Sequence, residues 1–575
     1  MPGRFQRQSA FDHCLETWFP YGSTNHFARM RAEHRLKSSY FGEVMMNPKG
    51  RLLTYVALAL LSVASIAPAQ TTQTSAPADL DAYAARVLKE FDVPGLAVAI
   101  VKDGKVVLAK GYGVRKLGEP NPVDENTLFG IASNTKAFTS AALAMLVDEG
   151  KITWDDPVVK YLPGFQLYDP YVTREMTIRD LLTHRSGLGL GAGDLLWWPP
   201  TDYSREEIIR RFRYVKPASS FRSRYAYDNV LYMIAGQVVA AVTGKTWDDV
   251  IKERIFNPLG MTTSNTTIAG LLSSKDSATP HAKIDGQVQA VAPMALENVG
   301  PAGAINSSVA EMARWLIAQL NRGQMSEGRR LFSERRSREM WSAQTITPLN
   351  DPPPPLAALR ANFSAYGLGW GLTEYRGFKT VSHTGGLLGF VSRVMLVPDF
   401  NLGVVVLTNQ QSGGAFQSLT YRILDHYMSA PVTDWTAAFK KLEDMGQANA
   451  AEFEKRQASA RAADSKPSLP IVKYAGRYTD AWYGDITISQ ENGKLVLRFG
   501  HTPSLVGDLE HWQYDTFVAR WRDRSLEADA FVTFSLKPDG GIEQMKMAAV
   551  SPLTDFSFDF QDLLFTPAAV GDRRP

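Results

Sequence analysis

Hydrophobic and polar positions alternate in patterns that divide the chain into helices and strands. A helical period over Asp79 to Phe91 predicts an amphipathic helix. Two β-type runs follow, Gly95 to Val101 and Lys105 to Tyr112, and the turn residues Asp103-Gly104 join them into a hairpin. From Ser133 to Gly150 the chain has strong helix formers and is apolar nearly all round, so we expect a helix buried in a large core.

The second half of the chain adds more strands and then changes its pattern. β-rich runs at Lys379 to Ser382, Phe390 to Val397 and Gly403 to Leu407 predict, with the first hairpin, one antiparallel sheet built from both ends of a domain. The connection between those ends is mostly helical. A polar, helix-forming stretch at 437–463 ends in a proline-rich break, which is the clearest domain boundary. From Ile471 onward, short alternating strands and turns predict a small all-β barrel or meander.

Composition narrows the class of protein. The 575 residues exceed one ordinary core, so we expect two or more domains. The net charge of +3, from 62 basic and 59 acidic residues, gives no reason to expect a nucleic-acid partner. The nine histidines lack metal-ligand spacing, and no glycine-rich phosphate loop or Gly-x-Ser-x-Gly elbow is present. We therefore predict no metal and no cofactor.

The residues near the start of the chain have the form of an export signal. A basic stretch at 47–51 precedes an apolar run at 52–64, and Ala67-Pro68-Ala69 is a small-x-small cleavage site. This pattern predicts a signal peptide over 45–69 and a periplasmic or secreted mature protein, with an uncleaved membrane anchor as the alternative. The single cysteine, Cys14, lies upstream, so the mature chain has no disulfides.

The helix that begins near Ser133 carries the first candidate for chemistry. Lys136 lies three residues later, on the same helical face, and the Cβ atoms of such a pair are about 5–6 Å apart. A lysine buried beside a hydroxyl can be held partly neutral and can then accept the hydroxyl proton. The alternative is a helix-capping serine followed by a surface lysine. Ser133 is the only serine in the chain with a lysine three residues on.

Two further clusters gain meaning from their order along the chain. Tyr227-Asp228-Asn229 stands at the mouth of a helix, and His383-Thr384-Gly385-Gly386 is predicted to follow a strand directly. A phenol can pass a proton to a leaving group, an amide can bind a carbonyl, and a strand edge can offer backbone donors. Alone, each cluster also fits an ordinary turn or strand end. Trp197-Trp198-Pro199-Pro200 fits either the roof of a pocket or loop packing, and we interpret His184 as structural.

Ser-x-x-Lys opening a helix, then Tyr-x-Asn, then His-Thr-Gly resembles the penicillin-recognising serine hydrolase superfamily, with its class C β-lactamases, D-Ala-D-Ala carboxypeptidases and esterases. The likeness covers about residues 80–430, and the segment from Ile471 looks like the small β domain often appended to such hydrolases. It implies an α+β fold, a β-lactamase-like antiparallel sheet flanked by helices with a mainly helical insertion. The domains are then an uncertain extension (1–44), a signal peptide (45–69), the hydrolase domain (75–432), a helical linker (433–468) and the β domain (469–570).

The resemblance also implies a role for each matching residue. The catalytic residues would be the acylated nucleophile Ser133, the proton acceptor Lys136 and the proton relay Tyr227. The residues that bind substrate would be Asn229, His383, Thr384 and Gly385. The backbone N–H groups of Ser133 and Gly386 would form the oxyanion hole, where the loss of one donor typically costs roughly 3–4 kcal/mol.

One departure from the family pattern shapes the predicted function. Most β-lactamases have a lysine at the position of His383, and Asp228 stands where a serine is frequent; both changes disfavour an anionic substrate. We therefore predict an acyl-enzyme hydrolase for esters or peptide-like amides, an esterase or a D-amino-acid peptidase. The alternatives are a β-lactamase or D-Ala-D-Ala carboxypeptidase proper, and a non-catalytic protein that binds peptides or cell-wall fragments. The partner is a small molecule or peptide; the oligomeric state stays open.

Overall fold

The structure, a computed structural model, describes residues 73–325 and 328–568. The first twelve strands are β1 (Gly95–Lys102), β2 (Lys105–Gly113), β3 (Phe129–Gly130), β4 (His281–Ile284), β5 (Gln287–Ala290), β6 (Asn306–Ser307), β7 (Thr345–Ile346), β8 (Ser364–Tyr366), β9 (Gly371–Tyr375), β10 (Phe378–Leu387), β11 (Phe390–Val397) and β12 (Leu402–Thr408). Eight of them form one antiparallel sheet in the order β2-β1-β12-β11-β10-β9-β8-β7. Strands from both ends of the domain therefore meet at its centre, as the sequence predicts.

Helices cover both faces of this sheet. They are α1 (Leu80–Glu90), α2 (Thr135–Asp148), α3 (Pro170–Glu175), α4 (Ile178–Leu181), α5 (Arg205–Phe212), α6 (Val230–Thr243), α7 (Trp247–Ile251), α8 (Asn257–Leu259), α9 (Ile268–Ser273), α10 (Gly300–Gly303), α11 (Val309–Leu320), α12 (Glu334–Met340), α13 (Gly413–Tyr427) and α14 (Trp435–Ser459). A turn of π-helix, Lys252–Phe256, joins α7 to α8.

The central strands are apolar throughout because both of their faces are covered. Every residue of β1 is buried, and successive side chains enter different cores. Ala97 and Ala99 pack with α2 and α11, whereas Val98 and Ile100 pack with α1, α13 and α14. A strand whose two faces are both covered by apolar layers has a continuous hydrophobic sequence. Its periodicity therefore does not distinguish a buried face from an exposed one.

Helix α2 is the buried helix that the sequence predicts. All twelve residues from Thr135 to Leu146 are buried, and Phe138 stacks on Trp315 of α11 with ring centroids 3.9 Å apart. Lys136 is among the buried residues, with none of its surface exposed. The surface-lysine alternative is therefore wrong.

Strand β10 is longer than its hydrophobic pattern indicates. The sequence predicts a strand that ends at Ser382, with His383-Thr384-Gly385-Gly386 after it; in the structure the strand continues to Leu387. The glycines keep an extended backbone because β11 continues the ladder beside them, with Gly385 opposite Ser392 and Gly386 opposite Val391. Paired glycines look like a turn in a sequence, but the neighbouring strand decides their conformation.

The C-terminal part is a nearly closed, eight-stranded antiparallel barrel. Its strands are β13 (Gly476–Asp480), β14 (Gly484–Glu491), β15 (Lys494–Phe499), β16 (Val506–Gln513), β17 (Thr516–Trp521), β18 (Ala530–Leu536), β19 (Ile542–Ala549) and β20 (Thr566–Pro567). Strand β20 pairs with β13, and a bridge between Met545 and Phe565 brings the two ends of the sheet together. Aromatic side chains such as Tyr474, Phe499 and Trp521 fill its interior, and this core is continuous with that of the first domain. The α+β fold with an all-β barrel is confirmed.

The structure does not describe the residues on which the predicted extension and signal peptide rest. The extension at 1–44, the signal peptide at 45–69 and Cys14 lie outside the described residues. Within the described residues, no helix combines the length and the apolar character needed to span a bilayer.

Candidate active site

Ser133 lies in a tight turn that is held against the central sheet. The turn is a 3-10 helix, Ala132–Asn134, which leads directly into α2. Ala132 has a left-handed backbone conformation with φ of +50°, which is costly for a residue with a Cβ atom. The Ser392 hydroxyl, on β11, donates a 2.7 Å hydrogen bond to the Ile131 carbonyl and receives one of 2.7 Å from the Asn134 amide. These contacts fix a strained turn at one position on the sheet.

The amine of Lys136 is in hydrogen-bond contact with the Ser133 hydroxyl. The Nζ–Oγ distance is 3.0 Å, and Nζ also contacts Asn229 Oδ1 at 2.7 Å and the Ala302 carbonyl at 3.0 Å. Burial lowers the pKa of Lys136 to about 7, although the carboxyls of Asp194 and Asp228 act in the opposite direction. The amine is therefore neutral in a substantial fraction of molecules near neutral pH.

The hydrogen-bond partners define where a neutral Lys136 keeps its lone pair. A neutral amine has two N–H donors and one lone pair, and the carbonyl oxygens of Asn229 and Ala302 can only accept. The two N–H bonds therefore point to these oxygens. The lone pair is left facing Ser133, whose hydroxyl can donate to it. This arrangement can take up the serine proton.

Tyr227 lies against the same lysine. Its ring centroid is 4.7 Å from Lys136 Nζ, and the imidazole of His184 packs on the ring with centroids 4.3 Å apart. His184 Nδ1 in turn accepts a 3.1 Å hydrogen bond from the backbone N–H of Asp228, at the start of α6. Burial and the nearby Lys136 lower the pKa of His184 well below its ordinary value, so this ring is a neutral spacer that orients Tyr227.

His383 is buried, neutral and held from both sides. Its Nδ1 donates to the Thr384 carbonyl at 2.6 Å, so Nε2 is the acceptor for the Tyr366 hydroxyl at 2.9 Å. Burial and the nearby Lys136 lower the pKa of His383 to about 3. This position therefore carries no positive charge for an anionic group, which agrees with the sequence argument from the missing lysine.

A cleft opens beside the serine. Its lining residues come from six regions of the chain: Ser133, Trp197, Trp198, Asn229, Leu296, Val299, Ala302, Gly303, Gly386, Leu387, Asp555, Phe556 and Ser557. Of the predicted site residues, Ser133, Asn229 and Gly386 line it, and the two tryptophans form part of its wall. Lys136, Tyr227, His383 and Thr384 are not among the lining residues.

The edge of β10 faces this cleft without a strand partner. Strand β9 pairs with β10 only as far as Ser382, which is opposite Gly371, whereas pairing with β11 continues to Leu387. Beyond Ser382, β10 therefore has β11 beside it on one side but no longer has β9 on the other. Gly385 is not among the lining residues, and its role in substrate binding stays a prediction. A Cβ atom there would lie 2.2 Å from the Ile131 carbonyl oxygen, so this glycine lets the serine turn approach the sheet.

Asp228 lies beside the cleft rather than in it. It is buried at the start of α6, where Oδ1 accepts a 3.1 Å hydrogen bond from the Leu231 N–H. Burial and the nearby Asp194 raise its pKa well above the ordinary value. Because Asp228 is not among the residues that line the cleft, the argument against an anionic substrate rests mainly on His383.

Sequence patterns missed several residues of the site. Asp194 comes from the loop before α5, and Asp555, Phe556 and Ser557 come from the end of the barrel. More than 350 positions of sequence separate the Asp194 carboxylate from Ser557, yet they share a 2.8 Å hydrogen bond. Within the described residues, no cluster of three histidine, cysteine or carboxylate side chains could hold a metal ion.

Comparison with known proteins assigns the two domains. The beta-lactamase family model matches residues 80–428, and a model described as a domain of unknown function matches residues 460–567. The chain belongs to the beta-lactamase family. The first match covers the domain with the eight-stranded sheet, and the second covers the barrel.

Relatives of this beta-lactamase family member carry hydrolase or penicillin-binding names. An unguisins hydrolase of Aspergillus campestris is 32% identical over 479 residues, which cover 79% of this chain and 86% of the relative. Penicillin-binding protein 4 of Amycolatopsis lactamdurans is 28% identical over 350 residues, 58% of this chain and 86% of the relative. The octameric penicillin-binding protein homologue from Pyrococcus abyssi shares the fold with a TM-score of 0.54 at 22% identity, over 85% of this chain and 99% of that one. The chain is a serine hydrolase of the penicillin-recognising type.

Proposed function

We propose that the protein is an exported serine hydrolase that forms an acyl-enzyme at Ser133 and acts on esters or peptide-like amides. The observation that carries this proposal is the 3.0 Å contact between Ser133 Oγ and a fully buried Lys136 amine, whose remaining partners are both acceptors. Export is supported by the sequence of residues 45–69 alone.

In the first half of the reaction, Ser133 Oγ attacks the substrate carbonyl carbon while its proton passes to Lys136 Nζ. The carbonyl oxygen gains negative charge and is stabilised by the backbone N–H groups of Ser133 and Gly386. When the tetrahedral intermediate collapses, the bond to the alcohol or amine breaks and the leaving group takes a proton. Tyr227, packed on Lys136, is the relay for that proton.

In the second half, water attacks the ester carbonyl of the acyl-enzyme and gives up its proton to the neutral Lys136. The second tetrahedral intermediate then releases the carboxylic acid, and Ser133 recovers its hydroxyl proton from the lysine. Asn229, which lines the cleft and holds Lys136, fixes the amide or ester group of the substrate beside the serine.

The charges around the cleft favour a substrate without a carboxylate next to the scissile bond. Neither lysine nor arginine is among the described lining residues. Asp555 has exposed surface at the cleft, and its Oδ1 accepts from the Ser557 N–H at 2.9 Å. Desolvation by the surrounding protein raises the pKa of this carboxyl above its ordinary value, and a bound cation would favour its ionised form. With the indole rings of Trp197 and Trp198 nearby, this carboxylate suits a substrate that bears a free ammonium group. Such a preference favours the peptidase over the β-lactamase.

A labelling experiment tests the acyl-enzyme. We expect a fluorophosphonate probe to modify Ser133, as located by mass spectrometry of the digested protein, and Ser133→Ala to remove both label and turnover. Lys136→Ala and Tyr227→Phe should each lose most of the turnover while retaining the thermal unfolding midpoint. Label on another residue, or a Lys136→Ala enzyme with near wild-type kcat, would contradict the proposal.

A substrate panel tests the specificity. Amino-acid p-nitroanilides of both configurations, their N-acetylated forms, p-nitrophenyl esters and benzylpenicillin would be compared by kcat/KM. We expect esters or free-amine anilides to be preferred over benzylpenicillin, and Asp555→Asn to reduce the difference between free and N-acetylated anilides. A benzylpenicillin kcat/KM above that of every other substrate would instead identify a β-lactamase. Tight ligand binding with no turnover over the panel would favour a binding protein.

A further inference from the structure

Asp194 is a buried carboxylate that belongs to none of the sequence motifs. Its two oxygens accept three hydrogen bonds of 2.8 Å, from the Trp197 indole, the Asn229 amide and the Ser557 hydroxyl. All three donors converge on one residue with none of its surface exposed. A carboxylate can accept all three hydrogen bonds, whereas a side-chain amide can serve as acceptor with only one of its two polar atoms.

Asn229 links this carboxylate to the catalytic lysine. Its amide nitrogen donates to Asp194, and its amide oxygen accepts from Lys136 Nζ at 2.7 Å. The carboxylate therefore decides which way the amide is turned, because a flipped Asn229 would present N–H groups to the lysine. When Lys136 takes the Ser133 proton and becomes a cation, the amide oxygen and the anion behind it stabilise that charge.

We propose that Asp194 is a positioning residue that acts on Lys136 through Asn229, and that the barrel completes this unit by supplying the Ser557 hydroxyl. The proposal rests on the proposed function, since it assigns Asp194 a part in the proton transfer from Ser133 to Lys136. It also gives the C-terminal domain a place in turnover.

The barrel holds the whole segment around Asp194. The Asp559 carboxylate accepts from the backbone N–H of Gly193 at 2.7 Å and from that of Leu195 at 3.0 Å, on either side of Asp194. The Phe556 ring lies against Gly191, where a Cβ atom would be 2.7 Å from a ring carbon. Deletion of the barrel would therefore remove the support of the loop together with Ser557. Point variants in the full chain separate the two effects.

Two imidazoles, a carboxyl and two phenol rings also face Lys136. The imidazoles of His184 and His383 have lowered pKa values, and the Asp228 carboxyl has a raised one. The phenol rings of Tyr227 and Tyr232 lie 4.7 and 5.4 Å from the amine. Burial also raises the pKa of Asp194 to about 7, so the acid limb of activity belongs to the Lys136–Asp194 pair as a unit.

The test compares Asp194→Asn, Ser557→Ala and Ser557→Thr with Ser551→Ala, a matched change on the same barrel segment whose hydroxyl accepts only from the nearby Leu553 N–H. We expect Asp194→Asn to lower kcat roughly tenfold to a hundredfold, the range for a charged hydrogen bond, with a smaller change in KM. Its acid limb of kcat/KM should move to lower pH by about one unit, because the negative charge that raises the lysine pKa is gone.

Ser557→Ala should lower kcat by about threefold to tenfold, the range for a neutral hydrogen bond. Ser557→Thr should restore most of this loss, and Ser551→Ala should match wild type. A wild-type kcat and acid limb in Asp194→Asn would overturn the proposal. So would wild-type kinetics in Ser557→Ala, which carries the test if Asp194→Asn does not fold. The Ser133→Ala enzyme separates the two ideas. If it is active, the proposed function is refuted. If it is inactive but the Asp194 and Ser557 variants have wild-type kinetics, only this inference is refuted.

Discussion

Replacing Gly385 with alanine would test how the serine turn is positioned. Gly385 is not among the residues with positive φ, so the backbone tolerates a side chain and only space is at issue. A Cβ atom there would lie 2.2 Å from the Ile131 carbonyl oxygen, 2.5 Å from Ser392 Oγ and 2.9 Å from the Ala132 Cβ. Two of these three atoms are in or next to the turn that carries Ser133, and the third holds that turn on the sheet.

The magnitude follows from these distances. Non-bonded heavy atoms are comfortable at about 3.5 Å, so the turn and the strand must separate by roughly 1 Å. A misplacement of about 1 Å at a reacting group costs on the order of a hundredfold in rate. Overpacking of this kind also costs about 1–3 kcal/mol of folding free energy, which leaves a large, well-packed core intact. We therefore expect kcat to fall about a hundredfold while the protein stays folded.

The assay combines steady-state kinetics, the rate of fluorophosphonate labelling and the thermal unfolding midpoint. Gly413→Ala is the control, because a Cβ atom at this position, the first residue of α13, meets nothing within 4 Å. It should match wild type in kcat and labelling. If Gly385→Ala labels Ser133 at the wild-type rate and keeps its kcat, the close approach of strand and turn does not position the serine.

Three further predictions use other parts of the structure. The kcat/KM of the wild-type enzyme should rise with pH through a midpoint near 7, because Lys136 must lose a proton to act; a flat profile from pH 5 to 9 would contradict this. Burial opposes ionisation of Asp180, but hydrogen bonds led by that of Arg222 lower its pKa, so its stabilising effect is present above about pH 4 and is lost as pH falls through the lowered value. Asp180→Asn should thus lower the unfolding free energy by about 2 kcal/mol at pH 7, the range for hydrogen bonds to a charged group, because the carboxylate is buried whereas Arg222 is partly exposed; an unchanged midpoint in denaturant would refute this stabilising contact. Asp559→Asn should lower kcat and speed proteolysis near Gly193, since the amide offers one acceptor oxygen in place of the two that receive the Gly193 and Leu195 N–H groups; wild-type behaviour in both assays would count against the docking contact.

Most of the fold could be predicted because local pattern and tertiary environment agree. Strand β1 is a hydrophobic run next to an Asp-Gly turn, and helix α2 is apolar all round because it is enclosed on every side. The prediction differed at β10, where Gly385 and Gly386 look like a chain break and are instead held by the ladder with β11. Strand pairing depends on residues that are distant in the sequence, so the local sequence around Gly385 and Gly386 does not predict it.

The site likewise contains residues that local sequence predicts and residues that only long-range packing brings in. Ser133 and Lys136 are three residues apart, so helix geometry alone brings them together, and the order of the other motifs supplies Tyr227 and Asn229. Nothing local marks Asp194 or Ser557, because a buried carboxylate acquires its partners only when distant segments pack. A family pattern reports what relatives share at the centre of the site, whereas the barrel's contribution depends on how this chain docks its second domain.

The identity of the base follows from one physical effect that acts unequally on three candidates. Lys136, His184 and His383 are all buried, and burial lowers the pKa of each because it penalises the protonated form. Lysine starts from about 10.4 and histidine from about 6.5, so the same penalty brings the amine near neutral pH and takes both imidazoles far below it. A proton accepted by either histidine would be lost again at once, whereas the amine can hold the serine proton and return it. Burial of Lys136 in the apolar helix α2 thus brings its pKa into the range in which it can act as the base.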